Sequence, residues 1–337
     1  MILAELLSRL LKQENLSREE AVRAADCVMD GQATPAQIAG FLVALRMKGE
    51  TAAEVAGFVE SMRNHSVRIE VDDPEAVDGV GTGGDGAHTF NVSTAAGIVA
   101  SAAGVTVAKH GNRSVSSKCG SADLLEAAGG EIDPGPDRVC DSINRIGFGF
   151  MFAPRFHPAM KHAGPPRREL GVRTIFNILG PMTNPAGVKR LLLGVYDKSL
   201  MPLVAEVLLM TGAEHVLIVH SRDGLDEISV SAPTDYLELK ESAVSEHTID
   251  PSEFGFDVYP PAVLTGGEPA YNARILRLVL EEEPGAYRDA VALNAGAMLY
   301  VGGRAASIAD GFELAADAID NGRALQKLND WLAFSQQ

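Results

Sequence analysis

The sequence predicts an α/β protein in two parts: a small all-helical N-terminal domain, and a larger α/β domain built on a central, mostly parallel sheet. Three observations carry that expectation. Residues 1–68 show only helical periodicity and helix caps. From about residue 75, short apolar strands alternate with helices. Glycine makes up 34 of the 337 residues and clusters directly after strands. With 46% apolar residues over that length the chain has material for a sizeable core, and disorder is excluded.

The helical part follows from spacing and caps. Leu3, Leu6, Leu7, Leu10 and Leu11 mark one face of a first helix. Ser17 with Glu20, Thr34 with Gln37 and Thr51 with Glu54 have capping-box spacing, Pro35 suits a first helical position, and Gly31 and Gly49 suit helix ends. Four short helices are expected. Strands follow at Val77–Val80, Val105–Lys109, Phe150–Ala153, Leu191–Tyr196 and His215–His220, with a helix over Ser199–Thr211 completing a βαβ unit. The proline- and glycine-rich stretch 163–190 interrupts this alternation and is expected to return to the helical domain. The division is therefore 1–68 with 163–190 for the helical domain, and 69–162 with 191–337 for the α/β domain. A strand near Tyr236–Leu239, helices over Ala270–Glu283 and Asp289–Tyr300, and one long helix over Phe312–Phe334 close the chain.

Charge limits the functions available. With 29 basic and 45 acidic side chains the formal charge is −16, which disfavours non-specific binding to nucleic acid or anionic lipid but not capture of a small anion. The longest weakly polar run, Ala95–Ala108, falls short of the ~20 apolar residues of a membrane span. The N-terminus lacks a secretory pattern, and Cys27, Cys119 and Cys140 form no framework, so a cytoplasmic protein is expected. The charge is also uneven: residues 105–200 hold 13 basic and 8 acidic side chains.

Four segments carry candidate chemistry. In VDGVGTGGDGAHTFNVSTAAG, Gly81, Gly83, Gly84 and Gly86 let backbone N–H groups converge on an anion, and Asn91, Ser93 and Thr94 sit at a helix entrance that favours phosphate. The spacing is neither a Rossmann nor a Walker motif, and a simple tight strand-to-helix turn is the alternative. In KHGNRSVSSKCGSAD, Lys109, Arg113 and Lys118 with Ser114, Ser116, Ser117 and Ser121 form a second anion-type loop after a strand; a solvated polar loop is the other reading. In DGLDEIS, Asp226 and Glu227 suit Mg²⁺ held partly by water and substrate phosphate. They could instead be acids at a helix N-terminus, with Asp223 as a cap. In RFHPAMKHAGPPRRELGVRTIFNILGPMTNPA, Arg167 or Arg168 could offer a planar fork to a carboxylate, or pair with Glu169 at the surface. His110, His157 and His162 lack metal-ligand spacing, and no GxSxG elbow is present.

Taken together, GTGGDGxxTFNVST, KHGNRSVSSKCGSAD, RRELGVRTIFNILGPMTNPA and DGLDEIS, in this order, closely resemble the anthranilate phosphoribosyltransferases of tryptophan biosynthesis. The resemblance spans essentially the whole chain and includes LNAGAMLYVGG. It implies a nucleoside phosphorylase/phosphoribosyltransferase-like fold and transfer of the phosphoribosyl group of phosphoribosyl pyrophosphate (PRPP) to anthranilate, with Mg²⁺, two ions being expected. On this chain the family's donor site would fall on Gly81, Gly84, Asp85, Thr89, Asn91, Val92, Ser93 and Thr94. It would continue over Lys109, His110, Gly111, Asn112, Arg113, Ser114, Val115, Ser116, Ser117 and Ser121. Anthranilate would meet Gly81, His110, Asn112 and Arg167, and the metal would take Ser93, Asp226 and Glu227. No general base is evident. A homodimer through the helical domain is also implied. The chain departs from the family in Pro166, and in Ser221 and Arg222 where a glycine is usual. A pyrimidine nucleoside phosphorylase would carry a different serine and lysine motif. A non-catalytic nucleic-acid-binding relative would show a basic face and no acid pair.

Overall fold

The computed structural model describes residues 2–114, 118–255, 259–260 and 262–337. Four helices open the chain, α1 (Ile2–Leu10), α2 (Arg18–Met29), α3 (Pro35–Lys48) and α4 (Ala52–Asn64). All three capping boxes form, and Pro35 occupies the first turn of α3, where its missing N–H costs nothing. The proline-rich stretch after residue 163 folds against these helices: the Phe176 ring meets Phe58 edge-on at 5.8 Å, and Arg63 donates to the Met182 carbonyl at 3.0 Å.

The sheet has strands β1 (Val77–Gly81), β2 (Val107–Gly111), β3 (Phe148–Phe152), β4 (Arg190–Gly194), β5 (His215–Ser221), β6 (Thr234–Lys240) and β7 (Ala243–Ile249), in the order β3-β2-β1-β4-β5-β6-β7. β1 to β5 run parallel, while β6 and β7 are antiparallel. The chain leaves on one side of β1 through β2 and β3 and returns on the other as β4. The C-terminal ends of β1 and β4 therefore flank a topological switch point, the place where such sheets leave a crevice for ligands.

Three features differ from expectation. The C-terminal helix is two, Ile308–Asp320 and Arg323–Ser335, separated at Asn321 and Gly322, where Gly322 takes φ 75°. β7 joins β6 through Glu241 and Ser242, both at positive φ, a two-residue hairpin that the exposed sequence AVSEHTI did not announce. β2 and β3 are also displaced along the chain by about two residues from the expected runs. The small residues of helix Ala286–Val301 have a packing reason: Gly296 lies against the backbone of Gly311 and Phe312, where any Cβ would collide. Among the described residues no helix is long and apolar enough to cross a membrane.

Candidate active site

The first wall of the crevice is the glycine loop after β1. Gly83, Gly84 and Gly86 adopt φ of 64°, 80° and 77°, a region an L side chain resists, so the backbone turns tightly. Its far arm is tied down where Thr89 bridges Thr265 and Phe90 N–H donates to the Leu264 carbonyl at 2.8 Å. Helix α5 (Val92–Ala102) then begins, with Asn91 Oδ1 accepting the Thr94 N–H at 3.1 Å. Asn91 also donates to Ser121 Oγ at 3.4 Å, joining the first loop to the second. Val92 is core, with its N–H already bonded to Phe90, so it offers a ligand neither side chain nor free donor.

Lys109 lies on β2 and is almost fully buried beneath this loop. Its ammonium donates to the Gly79 carbonyl at 2.7 Å and to Ser93 Oγ at 3.3 Å. Burial pulls its pKa down, opposed by the negative charges of Asp78 and Glu227. After β2 the chain passes Gly111, Asn112, Arg113 and Ser114 into helix α6 (Ser121–Ala127). A single carboxylate shapes this loop: Asp123 Oδ2 accepts the N–H groups of Ser114 and Gly120, each at 2.9 Å. Arg113 is turned to α6, pairing with Asp123 at 3.0 Å and Glu126 at 2.7 Å, and lies over the Phe152 ring. Val115, Ser116 and Ser117 fall outside the described residues.

Asp226 and Glu227 follow β5, and no helix starts there, so the reading as acids on a helix dipole falls away. Asp223 caps no helix; it accepts from Ser229 Oγ at 2.7 Å. Asp226 Oδ2 accepts the Gly83 N–H at 2.7 Å, which places the acid pair against the glycine loop. Burial first, then repulsion from Asp85 on Asp226 and from Asp226 and Asp85 on Glu227, pushes both carboxyls above the ordinary range. Buried hard oxygen donors held in mutual repulsion fit a divalent cation, which would relieve it. Among the described residues no three His, Cys, Asp or Glu side chains form a closed cage. An ion here would take its remaining ligands from Ser93, water and substrate phosphate.

The opposite wall comes from the segment that packs on the helical part. Pro165 and Pro166 lie in the first turn of helix Gly164–Leu170, so the unusual Pro166 is part of what starts the helix carrying Arg167. The Arg167 guanidinium is half-buried over the Phe176 ring at 5.0 Å, and among the described residues it has no acid partner. Arg168 is exposed. Arg173, which sequence reasoning passed over, stacks on the Tyr196 ring at 3.8 Å and donates to the Gly84 carbonyl, clasping the glycine loop from this side. The unusual Arg222 instead forks onto Asp235, at 2.8 Å through one terminal nitrogen, at the base of the acid-pair loop.

Between the walls two buried histidines face each other, His110 and His157, with ring centroids 5.0 Å apart. The Gly180 carbonyl beside His110 and the Thr183 carbonyl beside His157 each favour a ring N–H turned toward them. The ring proton is therefore assigned to the nitrogen at the carbonyl, and both Nε2 atoms, which have no partner among the described residues, are left as acceptors. Burial drives the pKa of His110 down to about 3 and of His157 to about 4, so both rings are neutral. Asp78 accepts the backbone N–H of His110 at 3.2 Å and the Asn184 side-chain amide at 2.8 Å. His157, read from the sequence only as lacking metal-ligand spacing, is 47 positions from His110, and the pairing of His110 with Met151 across β2 and β3 brings it near.

Similarity to known proteins agrees with this layout. Residues 4–66 match the helical bundle domain of a glycosyl transferase family, and residues 73–325 match its a/b domain. An anthranilate phosphoribosyltransferase of Acetivibrio thermocellus is 48% identical over 99% of this chain and 97% of its own. The crystal structure of anthranilate phosphoribosyltransferase from Thermus thermophilus superimposes with a TM-score of 0.94 at 42% identity, covering 98% of this chain and 99% of that one. The Saccharomyces cerevisiae enzyme in complex with PRPP and Mg gives 0.92 at 29% identity, covering 99% and 98%. Matched along nearly its whole length, and by relatives close to half identical, this chain belongs to the anthranilate phosphoribosyltransferase family.

Proposed function

We propose that this protein transfers the phosphoribosyl group of PRPP to the amino group of anthranilate, giving N-(5-phosphoribosyl)anthranilate and pyrophosphate in tryptophan biosynthesis. One observation supports this most. A glycine loop with Lys109 and two acids is tied through Arg173 to the segment that carries Arg167, which has no acid partner among the described residues, and His110 and His157 Nε2 likewise have no hydrogen-bond partner there. The first wall suits a pyrophosphate donor; the second suits an aromatic amine that also carries a carboxylate.

In the reaction the C1–oxygen bond of the donor breaks, its electron pair leaves with pyrophosphate, and the anthranilate nitrogen bonds to C1. Negative charge grows on the leaving group, where the loop N–H groups and Lys109 would stabilise it. Mg²⁺ held by Asp226, Glu227 and Ser93 would neutralise part of that charge, and we infer two ions because two acids and two phosphates share the space. Arg167 would grip the carboxylate through its planar fork. Anthranilate's amine has two N–H donors, and His110 and His157 Nε2 are the buried acceptors suited to them. Either could take the proton that the nitrogen sheds on bonding to C1. Asn91, Ser121, Asn112 and the loop through Ser117 would complete the donor cradle.

We further infer two domains, 1–68 with 163–190 and 69–162 with 191–337, and pairing of two copies through the helical one. Leu11 and Met47, 70% and 79% exposed, are the most exposed large apolar side chains among the described residues, and both lie on it. The test of the reaction is anthranilate fluorescence. It should fall on adding PRPP with Mg²⁺ and stay constant without the metal, while thymidine with phosphate should give no thymine. A folded protein that leaves the fluorescence unchanged overturns the proposal.

A further inference from the structure

Asp226 and Glu227 sit in a stretch without regular secondary structure, so their direction must be fixed by tertiary contacts. On the sheet side the fit is steric. A Cβ at Gly194, the last residue of β4, would fall on the Asp226 backbone carbonyl, and one at Gly81 would fall on its carboxylate. On the other side a side-chain amide grips the chain. Ile228, the residue after Glu227, donates its N–H to Asn294 Oδ1 at 3.0 Å, and Asn294 Nδ2 donates back to the Ile228 carbonyl at 2.9 Å. The second Nδ2 proton goes to the Ala290 carbonyl, one turn earlier in the helix, at 2.9 Å. Asn294 is fully buried in the middle of helix Ala286–Val301, among Val291, Leu293, Met298 and small residues.

A primary amide presents donor and acceptor side by side, as a peptide does, so Asn294 acts like one residue of a neighbouring strand. Packing alone would be served as well by leucine, which has nearly the same shape and no amide to desolvate. The polar side chain is explained by what it grips.

We propose that Asn294 is a positioning residue for the reaction. By locking the Ile228 peptide it sets the direction in which Asp226 and Glu227 face a divalent cation bound with pyrophosphate. This rests on the reading of Asp226 and Glu227 as the holders of Mg²⁺. Removing a hydrogen-bonding partner that orients a metal ligand costs about 10- to 100-fold in metal affinity. The effect should therefore appear in Mg²⁺ before it appears in anthranilate.

The experiment compares wild type, Asn294→Leu and Asn294→Ser, with Asp226→Asn and Glu227→Gln as references. Mg²⁺ is titrated calorimetrically into each protein with saturating pyrophosphate, and the steady-state constants are measured alongside. If Asn294→Leu does not fold, Asn294→Ser carries the comparison. The expected result is at least about tenfold weaker Mg²⁺ binding, with the anthranilate KM within about twofold and kcat recovered at high Mg²⁺. Mg²⁺ affinity unchanged in the Asn294 variants but lost in the references overturns the proposal alone. So does an anthranilate KM that rises in step with the Mg²⁺ requirement, the mark of general loosening. Mg²⁺ affinity unchanged in the references overturns the metal assignment itself, and the proposal with it.

Discussion

Replacing His157 by asparagine should flatten the dependence of stability on pH, and the size of the change follows from where the ring sits. Its folded pKa is depressed from an unfolded value of 6.5 to about 4, because burial disfavours the imidazolium. Below the unfolded pKa, the unfolded chain binds a proton that the folded one refuses. The stability contribution is therefore complete above that pKa and is lost as pH falls toward the folded value. Each pH unit between the two is worth about 1.4 kcal/mol, so about 2 kcal/mol is gone by about pH 5. Asp78, whose buried carboxyl is raised, shifts stability in the opposite sense, but it is common to both proteins and drops out of the difference. Urea unfolding from about pH 8 to about pH 5 should show wild type losing about 2 kcal/mol more than the variant. Parallel profiles would mean that His157 is not held neutral, and its role as a bare acceptor for an amine would fail with that.

Three further outcomes are expected. Arg167→Ala should raise the anthranilate KM by about 10- to 100-fold, the worth of a charge-assisted fork, and leave the PRPP KM much less affected; equal effects would remove the clamp role. Arg173→Ala frees the Gly84 carbonyl and the Tyr196 ring, and should raise the PRPP KM about three- to tenfold without a comparable change for anthranilate. Glu54 is fully buried, accepting from Lys48 Nζ at 2.9 Å and the Leu16 N–H at 2.9 Å. Glu54→Ala strands both donors and should cost about 3–5 kcal/mol in urea unfolding, a loss under about 1 kcal/mol being the contrary result.

How much of this was legible in the sequence depends on where the information lies. Capping boxes are local, so α2, α3 and α4 were readable from three-residue spacings. The parallel strands were readable as apolar runs because both faces of such a sheet are covered. β7 was not, since six of its seven residues are exposed and nothing in AVSEHTI alternates toward a core. The break at Asn321 and Gly322 was present as a turn signal but hidden by apolar periodicity continuing on either side. In the site, the glycine loop and the acid pair announce themselves by composition. The His110 and His157 pair does not: neither histidine has a meaningful neighbour in sequence, and their meeting depends on strand pairing followed by the short turn Ala153–Phe156. Asn294 was hidden for the same reason, as one polar residue in a small-residue run whose partner lies 66 positions away.

The most direct measurement follows anthranilate and pyrophosphate together in one reaction with PRPP and Mg²⁺. If the two walls of the crevice hold donor and acceptor as described, anthranilate disappears one for one with pyrophosphate release. Aniline, which lacks the carboxylate for Arg167, supports release only weakly. Pyrophosphate release that is indifferent to anthranilate, or equal rates with aniline and anthranilate, would contradict the assignment of the second wall to this acceptor.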